Sequence, residues 1–207
     1  QMNGQFGSVS LLPEVNLSKE VALQYASGMS KSRLTLFDNR IGNLISSKQS
    51  ITNCDAGWFC YYNIGRVHIQ GMSLSGQHKM NDVNLQSSLD FLNPTDAMTG
   101  KQLTLRSKQN LRLAVDKNMK DMRIGLEYLY VGKRFDDASN TVEFPAYKLV
   151  HVWTKTHLSA EWSWLNRIDN LFNEKYQQLG CTISGINSCH YAMPGVTFFT
   201  AVQWQPK

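Results

Sequence analysis

The feature that most constrains this chain is a strict alternation of apolar and polar residues along several short segments. In residues 83–91, Val83 and Leu85 are followed by Leu89 and Phe91 at even spacing, and the same period of two runs through 20–25, 111–116 and 122–130. Successive side chains of a β-strand point to opposite faces, so this period predicts strands with one apolar and one polar face. No apolar stripe of helical spacing competes with it, and the chain is predicted to be all-β.

Less regular strands complete the pattern and bring the expected total to about nine. Their expected ranges are 32–46, 63–79, 147–158, 163–172 and 193–204. Within the first of these, residues 37–41 interrupt the alternation, which indicates a β-bulge.

The predicted connections alternate between short and long along the whole chain. The short ones are hairpin turns at 28–30, 80–81, 118–120 and 159–160. The long ones are 47–62, 93–107, 133–146 and 173–192. A soluble sandwich has turns of mixed length at both ends, whereas an outer-membrane barrel has short turns on one side and long loops on the other. We therefore predict an antiparallel up-and-down transmembrane β-barrel, with apolar side chains facing lipid and polar ones facing the interior.

Composition excludes several other classes of protein. Charged residues make up 18% of the chain and hydrophobic residues 42%, which argues against disorder and against a coiled coil. No apolar run approaches the roughly 18 residues of a membrane-spanning helix, and residues 1–5 lack the features of a signal peptide. The net charge is +5, but the basic residues are scattered, with no cluster longer than Lys133-Arg134. A nucleic-acid partner is therefore not expected.

The four cysteines form two local pairs, Cys54 with Cys60 and Cys181 with Cys189, and both pairs lie in long connections. A zinc site needs four convergent ligands, commonly at C-x₂₋₄-C spacing, and neither pair has that spacing. We predict two disulfides that close loops in an oxidising compartment, and no metal site.

Short motifs recur along nearly the whole chain. They are Leu11-Leu12-Pro13-Glu14 followed by Glu20, Phe37–Ile45, Tyr61–Gly65 with Gly71, Arg106 before a strand, Asn170-Leu171-Phe172-Asn173-Glu174-Lys175-Tyr176, and Pro194-Gly195 with Phe198-Phe199. With these segments the chain resembles the C-terminal part of TonB-dependent outer-membrane receptors, and within that family most resembles the receptors for cobalamin (vitamin B12). The chain departs from the family pattern at Ser73, where a glutamate is usual, and at its end, Trp204-Gln205-Pro206-Lys207, where an aromatic residue is usual.

The resemblance implies a bacterial outer-membrane receptor of about 22 strands around a plug domain, of which this chain would hold the last nine or so. The implied partners are outer-membrane lipid, the missing plug and first half of the barrel, TonB through that plug, and cobalamin or a siderophore as ligand. No cofactor is implied. Because an open sheet leaves unpaired backbone groups in lipid, the chain by itself is not expected to transport anything.

Candidate ligand contacts in such a receptor lie in the long loops, where aromatic rings can stack on a corrin or a siderophore. They are Trp58, Phe59, Tyr61, Tyr62, His190 and Tyr191. The alternative is that Trp58 and Phe59 only pack a disulfide-closed loop. On the polar face, Arg112, Asp116, Arg123 and Glu127 are expected to be hydrated, to contact the plug, or to form ion pairs between adjacent strands.

Two other hypotheses remain open at the level of sequence. A soluble, lipocalin-like barrel would have an apolar interior and a polar exterior, the reverse of a membrane barrel. An outer-membrane hydrolase would carry catalytic residues at the barrel rim. The chain has no Gly-x-Ser-x-Gly, His-Glu-x-x-His or P-loop motif, so it is not expected to be an enzyme.

Overall fold

The computed structural model describes residues 11–48, 60–178, 180–183, 186–191 and 193–206. No helix among these residues is long and apolar enough to cross a membrane. The strands are β1 (Val15–Ser27), β2 (Ser30–Lys48), β3 (Cys60–Met80), β4 (Val83–Asp96), β5 (Gln109–Asn118), β6 (Met122–Val131), β7 (Arg134–Phe135), β8 (Glu143–Phe144), β9 (Tyr147–His157), β10 (Trp162–Asp169), β11 (Gly180–Ile183), β12 (Ile186–His190) and β13 (Thr197–Trp204).

Nine of these strands form one antiparallel sheet in the order β1-β2-β3-β4-β5-β6-β9-β10-β13. This confirms the predicted all-β meander and its strand positions to within a few residues. Two further hairpins, β7–β8 and β11–β12, are small separate sheets that lie inside the long connections. We call the end of the main sheet that carries the long connections the loop end, and the opposite end the turn end.

Away from the loop end, the strands of the main sheet present one mainly apolar and one mainly polar face. Leu126 pairs with Val115 and Val152 on one face, whereas Glu127, the next residue, pairs with Ala114 and His151 on the other. The register is continuous from β1 to β13, so the assignment extends to every strand of the sheet. We call the apolar side the outward face and the polar side the inward face.

The loops identify the polar side as the interior. A cavity of about 330 Å³ at the loop end is lined by Asn110 and Tyr147 of the inward face and by Arg134 and Gln178 of the loops. The loops therefore fold over the polar face and leave the apolar face uncovered. Val21 is 73% exposed and Leu126 is 42% exposed. This arrangement is the reverse of a lipocalin-like barrel and excludes that hypothesis.

The predicted bulge at residues 37–41 is wrong. Residues of β2 pair with β1 and with β3 without a shift of register through this segment. Asp38 and Arg40 interrupt the apolar pattern because they lie on the outward face beyond the apolar band, near the loop end, where a polar side chain no longer meets hydrocarbon. The sequence break marks an edge of the apolar band rather than a kink in the strand.

The packed core lies at the loop end of the sheet. The buried hydrophobic residues are Val67, Leu103, Phe144, Tyr147 and Leu149. Leu103 and Phe144 belong to long connections, so the loops contribute to the core as well as the strands. At the two margins of the sheet the opposite holds, since every residue of β1 and nearly every residue of β13 is exposed.

Candidate ligand vestibule at the loop end

Loops 97–108 and 132–146 are bound to each other through Asn140. Its side chain accepts a hydrogen bond from the Gln102 N–H at 2.8 Å and donates one to the Gln102 carbonyl at 2.9 Å. Asn140 has a φ of +55°, a conformation that asparagine tolerates better than most residues. The Leu105 N–H also donates to the Phe135 carbonyl at 2.7 Å. The Asn140 amide bonds both backbone groups of Gln102, as a neighbouring strand would, and these contacts hold the two loops together.

Asp137 organises the tip of loop 132–146. Its carboxylate accepts hydrogen bonds from the Thr141 N–H, the Thr141 hydroxyl and the Val142 N–H at 2.8, 2.8 and 2.7 Å. Burial raises the pKa of Asp137, but the hydrogen bonds from Val142 and Thr141 outweigh it and hold this pKa below its ordinary value. The Asp137 carboxylate therefore remains ionised at neutral pH and keeps the tip closed.

Arg134 is the most buried charged residue at this end of the sheet, with 4% of its surface exposed. Its guanidinium lies over the rings of Phe144 and Tyr147, with the central carbon 5.5 and 5.2 Å from the ring centroids. It donates a hydrogen bond to the Gln177 carbonyl, which ties loop 132–146 to loop 170–196. Burial lowers the pKa of Arg134, and the nearby Tyr147 opposes that shift.

Tyr176 continues this aromatic group from the third loop. Its ring centroid lies 4.6 Å from that of Tyr147, and Gln178 Nε2 donates a hydrogen bond to the Tyr147 hydroxyl at 3.2 Å. Burial raises the pKa of Tyr176, with smaller contributions from Tyr147 and Asp169, so the phenol remains a neutral hydrogen-bond donor. Together with the cavity described above, these residues form a polar and aromatic chamber over the inward face, which we call the vestibule.

The sequence motif at 170–176 closes the neck of loop 170–196. Asn170, which is 3% exposed, donates to the carbonyls of Glu174 and Pro194 at 2.9 and 3.2 Å and accepts from the Glu174 N–H at 2.8 Å. Asn173 accepts a hydrogen bond from the Val196 N–H at 3.2 Å. The motif at 170–176 and the segment 194–196, which are distant in sequence, therefore meet where the loop leaves β10 and enters β13. We call this arrangement the asparagine clasp.

The motifs near the start of the chain meet in the same way. Asn63 accepts a hydrogen bond from the Leu12 N–H at 2.8 Å and donates to the carbonyls of Leu12 and Asn43 at 2.9 and 2.7 Å. The Glu14 carboxylate accepts from the Ile45 N–H at 2.7 Å. These contacts hold the segment before β1 against the loop ends of β2 and β3.

The inward face carries a chain of ion pairs, as one of the sequence alternatives proposed. Arg112 Nε lies 2.5 Å from a Glu127 oxygen, and Arg167 bridges Glu127 at 3.5 Å and Asp169 at 2.7 Å. His151 Nδ1 lies 2.6 Å from the same Asp169 oxygen. A second pair joins Arg123 Nε to Asp116 at 2.7 Å, with Asn84 also donating to Asp116. Arg112–Glu127, Arg123–Asp116 and His151–Asp169 join neighbouring strands, whereas Arg167 reaches Glu127 across β9 and shares β10 with Asp169. The network therefore stabilises the sheet from inside.

Of the ligand contacts that the sequence predicts, the structure describes the side chains of two. Tyr61 is 44% exposed at the loop end of β3, and Tyr191 is 54% exposed just after β12. Trp58, Phe59 and Cys54 lie outside the described residues. The backbones of four others are described but their side chains are not: Cys60, Tyr62, Cys181 and His190. The same holds for Cys189, whose backbone is the register partner of Cys181 across β11 and β12.

Sequence reasoning missed Arg134, Tyr147 and Gln178 as vestibule residues. A usable signal was present, because a basic pair at 133–134 lies close in sequence to Phe135, Phe144 and Tyr147 in one long connection. Among the described residues, no group of three or more histidine, cysteine or acidic side chains could hold a metal ion.

Comparison with known proteins places this geometry in a family. Residues 1–171 match the family described as TonB dependent receptor-like, beta-barrel. A vitamin B12 transporter, BtuB, from Photobacterium profundum is 26% identical over 170 residues, which are 82% of this chain and 28% of that protein. The ferric yersiniabactin uptake receptor FyuA from Yersinia pestis superposes with a TM-score of 0.79 at 13% identity, over 92% of this chain and 30% of that one.

The ferric enterobactin receptor PfeA from Pseudomonas aeruginosa has the same fold, with a TM-score of 0.73 at 19% identity over 92% of this chain and 31% of that one. The chain thus spans about a third or less of the length of these relatives. The family match covers most of the chain, and the sheet has the faces and loops that a membrane barrel requires. The chain belongs to the TonB-dependent receptor-like β-barrel family, whose members are receptors and transporters of the outer membrane rather than enzymes.

Proposed function

We propose that this chain is the C-terminal part of a TonB-dependent receptor that takes up a bulky nutrient across the outer membrane. The observation that carries the proposal is the nine-stranded sheet, which is apolar outside, ion-paired inside and covered by loops at one end. A sheet in hydrocarbon cannot leave an edge unpaired, because each orphaned backbone group costs several kcal/mol. The free edges of β1 and β13 therefore require partner strands from the rest of a barrel.

The rest of the proposed receptor follows from the family. About 22 strands would close the barrel, and a plug domain would fill it and contact TonB. The inward ion pairs of Arg112, Glu127 and Arg167 would then face the plug across a hydrated gap. None of these activities belongs to the 207-residue chain alone, since it supplies only one sector of the barrel wall.

Cobalamin is the ligand that we propose first. One relative is a vitamin B12 transporter, and the loops contain exposed aromatic residues that can stack on a corrin ring. Tyr61 and Tyr191 are proposed as contacts, together with Trp58, Phe59, Tyr62 and His190. The second candidate is a ferric siderophore, which the cationic lining of the vestibule by Arg106 and Arg134 favours, since siderophore chelates are often anionic.

An uptake assay separates the two ligands. Cells that lack their own cobalamin receptor would express the receptor containing this chain and be supplied with radiolabelled cobalamin, with and without an excess of ferric siderophore. We expect TonB-dependent accumulation of cobalamin that the siderophore does not compete for. In a parallel measurement the siderophore carries radiolabelled iron. Accumulation of that iron in place of cobalamin would favour the siderophore, and uptake of neither would reject the proposal.

Tyrosine variants test the proposed contacts in the same assay. We expect Tyr61→Ala and Tyr191→Ala each to weaken cobalamin binding about tenfold, because base-like ring stacking contributes about 1–3 kcal/mol. Tyr25→Ala is the matched control, since Tyr25 is also exposed (65%) but lies near the turn end on the outward face. Equal losses in all three variants would point to impaired assembly rather than to ligand contact.

The two disulfides remain part of the proposal. Support for Cys181–Cys189 comes from the backbone register, because directly opposite residues of an antiparallel pair have Cβ atoms about 4.5–5.5 Å apart, close to the spacing of a disulfide. Each bond would close a small loop and contribute on the order of 2 kcal/mol. Mass spectrometry of a non-reduced digest should find 54–60 and 181–189 cross-linked peptides. Free thiols or a 54–181 or 60–189 cross-link would contradict this pairing.

A further inference from the structure

Arg134 is a buried cation with a hydrogen-bond donor that the described residues do not use. It is 4% exposed. Its Nη2 donates to the Gln177 carbonyl, and the rings of Phe144 and Tyr147 lie against the guanidinium. Its Nη1 is buried and has no hydrogen-bond partner among the residues that the structure describes. Because an unpaired buried charge strongly destabilises a fold, Arg134 requires an acceptor at this nitrogen.

Among the described residues, no carboxylate forms an ion pair with Arg134. The sequence has 16 acidic residues, and Asp55 is the only one outside the described ranges. The two acidic residues nearest to Arg134 along the chain are engaged elsewhere. Asp136 accepts a hydrogen bond from the Gly180 N–H at 3.2 Å, and Asp137 closes the tip of loop 132–146. The part of the chain that the structure describes therefore does not supply the partner of Arg134.

The cavity of about 330 Å³ beside Arg134 favours an anionic occupant. Arg134 and Arg106 bring two positive charges to its lining, and none of the lining residues is acidic. The Tyr147 hydroxyl already accepts one hydrogen bond, so its own hydrogen remains available to donate. Asn110 Oδ1 lies 2.6 Å from the Ser107 hydroxyl, which leaves the amide nitrogen of Asn110 as a further donor. Donors of this kind around a guanidinium suit a carboxylate.

The size of the cavity limits the occupant to one side chain. The volume corresponds to on the order of ten water molecules. A whole corrin exceeds this volume, whereas the side chain of an aspartate or glutamate fits within it. The partner must also be present when no nutrient is bound, because Arg134 is buried by the receptor's own loops. A residue of the receptor meets this condition, and a transported ligand does not.

The floor of the cavity indicates the side from which the partner enters. Leu92, Asn110, Val131 and Tyr147 line the cavity and lie on the inward face of the sheet. The chain spans about a third or less of the length of its relatives, so most of the receptor lies outside it. In the proposed receptor, the plug domain fills the space that the inward face encloses. The plug is therefore the part of the receptor that can reach this cavity.

We propose that an aspartate or glutamate of the plug domain enters the cavity and pairs with Arg134, with the Tyr147 hydroxyl and the Asn110 amide as further donors. The inference rests on the proposed function, because it needs a plug, but it does not depend on which nutrient is transported. The pair joins the plug to the residues that tie loop 132–146 to loop 170–196. Arg106, which is exposed, remains available to an anionic nutrient.

Hydrogen exchange measured by mass spectrometry tests this contact in the ligand-free receptor that contains this chain. Arg134→Met removes the charge and keeps a long side chain against the two aromatic rings. We expect one plug segment that contains an acidic residue to exchange at least about tenfold faster, because its carboxylate loses the partner that holds it. Lys133→Gln is the matched control. The Lys133 side chain is 65% exposed and pairs with Glu143, so this variant should leave exchange in the plug unchanged.

A second variant keeps the test decisive if Arg134→Met assembles poorly. Gln178→Glu retains Arg134 and adds a carboxylate of nearly the same size to the lining of the cavity. It should compete for the guanidinium and speed exchange in the same plug segment. Neutralising the acidic residue of that segment should add no further change to Arg134→Met, since the two residues would act as one pair.

Three results would contradict the proposal. Unchanged exchange of the plug in both Arg134→Met and Gln178→Glu would overturn it and leave nutrient uptake, and so the proposed function, untouched. Faster exchange confined to loop 132–146 and reproduced by Asp55→Asn would place the partner within this chain. An effect seen only after cobalamin or a ferric siderophore is added would assign the cavity to the nutrient. A receptor without a plug domain would instead reject the proposed function itself.

Discussion

The two faces of the main sheet are built from the same strands, yet they are stabilised by different interactions. Leu126 is 42% exposed on the outward face, and it acquires an apolar environment only when lipid surrounds the barrel. Its neighbour Glu127 is 17% exposed in its side chain and is already paired with Arg112 and Arg167 on the inward face. The stability of the outward face therefore depends on the lipid that surrounds it, whereas the charged groups of the inward face are paired with one another. A charged residue placed on the outward face should therefore lower the free energy of unfolding more than the loss of a charge on the inward face.

The largest effect is expected on the outward face. In the receptor containing this chain, folded in lipid vesicles, Leu126→Arg should lower the free energy of unfolding by about 2–4 kcal/mol, because an arginine near the bilayer midplane meets hydrocarbon. Glu127→Gln should cost less than about 1 kcal/mol, since the arginines that it faces keep part of their exposure to water. Denaturant unfolding in vesicles measures both values.

Nitroxide labels check the same comparison without relying on stability. A label at position 126 should be quenched by oxygen dissolved in lipid, and a label at 127 by a water-soluble nickel reagent. Reversed accessibility would mean that the two faces had been assigned the wrong way round.

A smaller effect is expected where the inward side meets the loops, at the asparagine clasp. Asn170→Ala should cost about 1–3 kcal/mol, because it removes the side-chain hydrogen bonds of a residue that is 3% exposed, those with the Glu174 N–H and the Pro194 carbonyl. Asn170 also has a φ of +52°, which alanine tolerates poorly. Asn170→Gly separates the two causes, since glycine accepts this backbone conformation but restores none of the hydrogen bonds. If the glycine variant were as stable as the wild type, the hydrogen bonds of the clasp would contribute nothing measurable.

The smallest effect is expected at the tip of loop 132–146, far from lipid. Asp137→Asn should weaken protection of the Thr141 and Val142 amides from hydrogen exchange, with a cost below about 1 kcal/mol at neutral pH. Because the pKa of Asp137 is lower in the folded protein than in the unfolded chain, its contribution is present above the unfolded pKa of about 3.9. This contribution is lost as the pH falls through the folded pKa, so the difference between variant and wild type should vanish in acid. A difference that persisted there would contradict a role for the ionised carboxylate.

The sequence predicted the strands and their faces because successive side chains of a strand point to opposite sides. One side faces lipid and the other faces the hydrated interior, so apolar and polar residues alternate. It misread residues 37–41 because Asp38 and Arg40 leave the apolar pattern while the backbone continues unchanged. The basic pair at 133–134 and the aromatic residues near it signal part of the vestibule, but the contacts that assemble it could not be predicted. Arg134 contacts the carbonyl of Gln177, 43 residues away, and loop residues carry no periodicity from which such a contact can be inferred.

The asparagine clasp has a consequence for how this protein can change over time. Asn170 and Asn173 join the two ends of loop 170–196, so the neck is held by hydrogen bonds between its own ends. Entropy of loop closure grows only slowly with length, so insertions beyond the neck add little cost. We therefore expect that the part of this loop beyond Tyr176–Gln178 can change in sequence and length, and so acquire new recognition surfaces, without disturbing the pairing of β10 with β13.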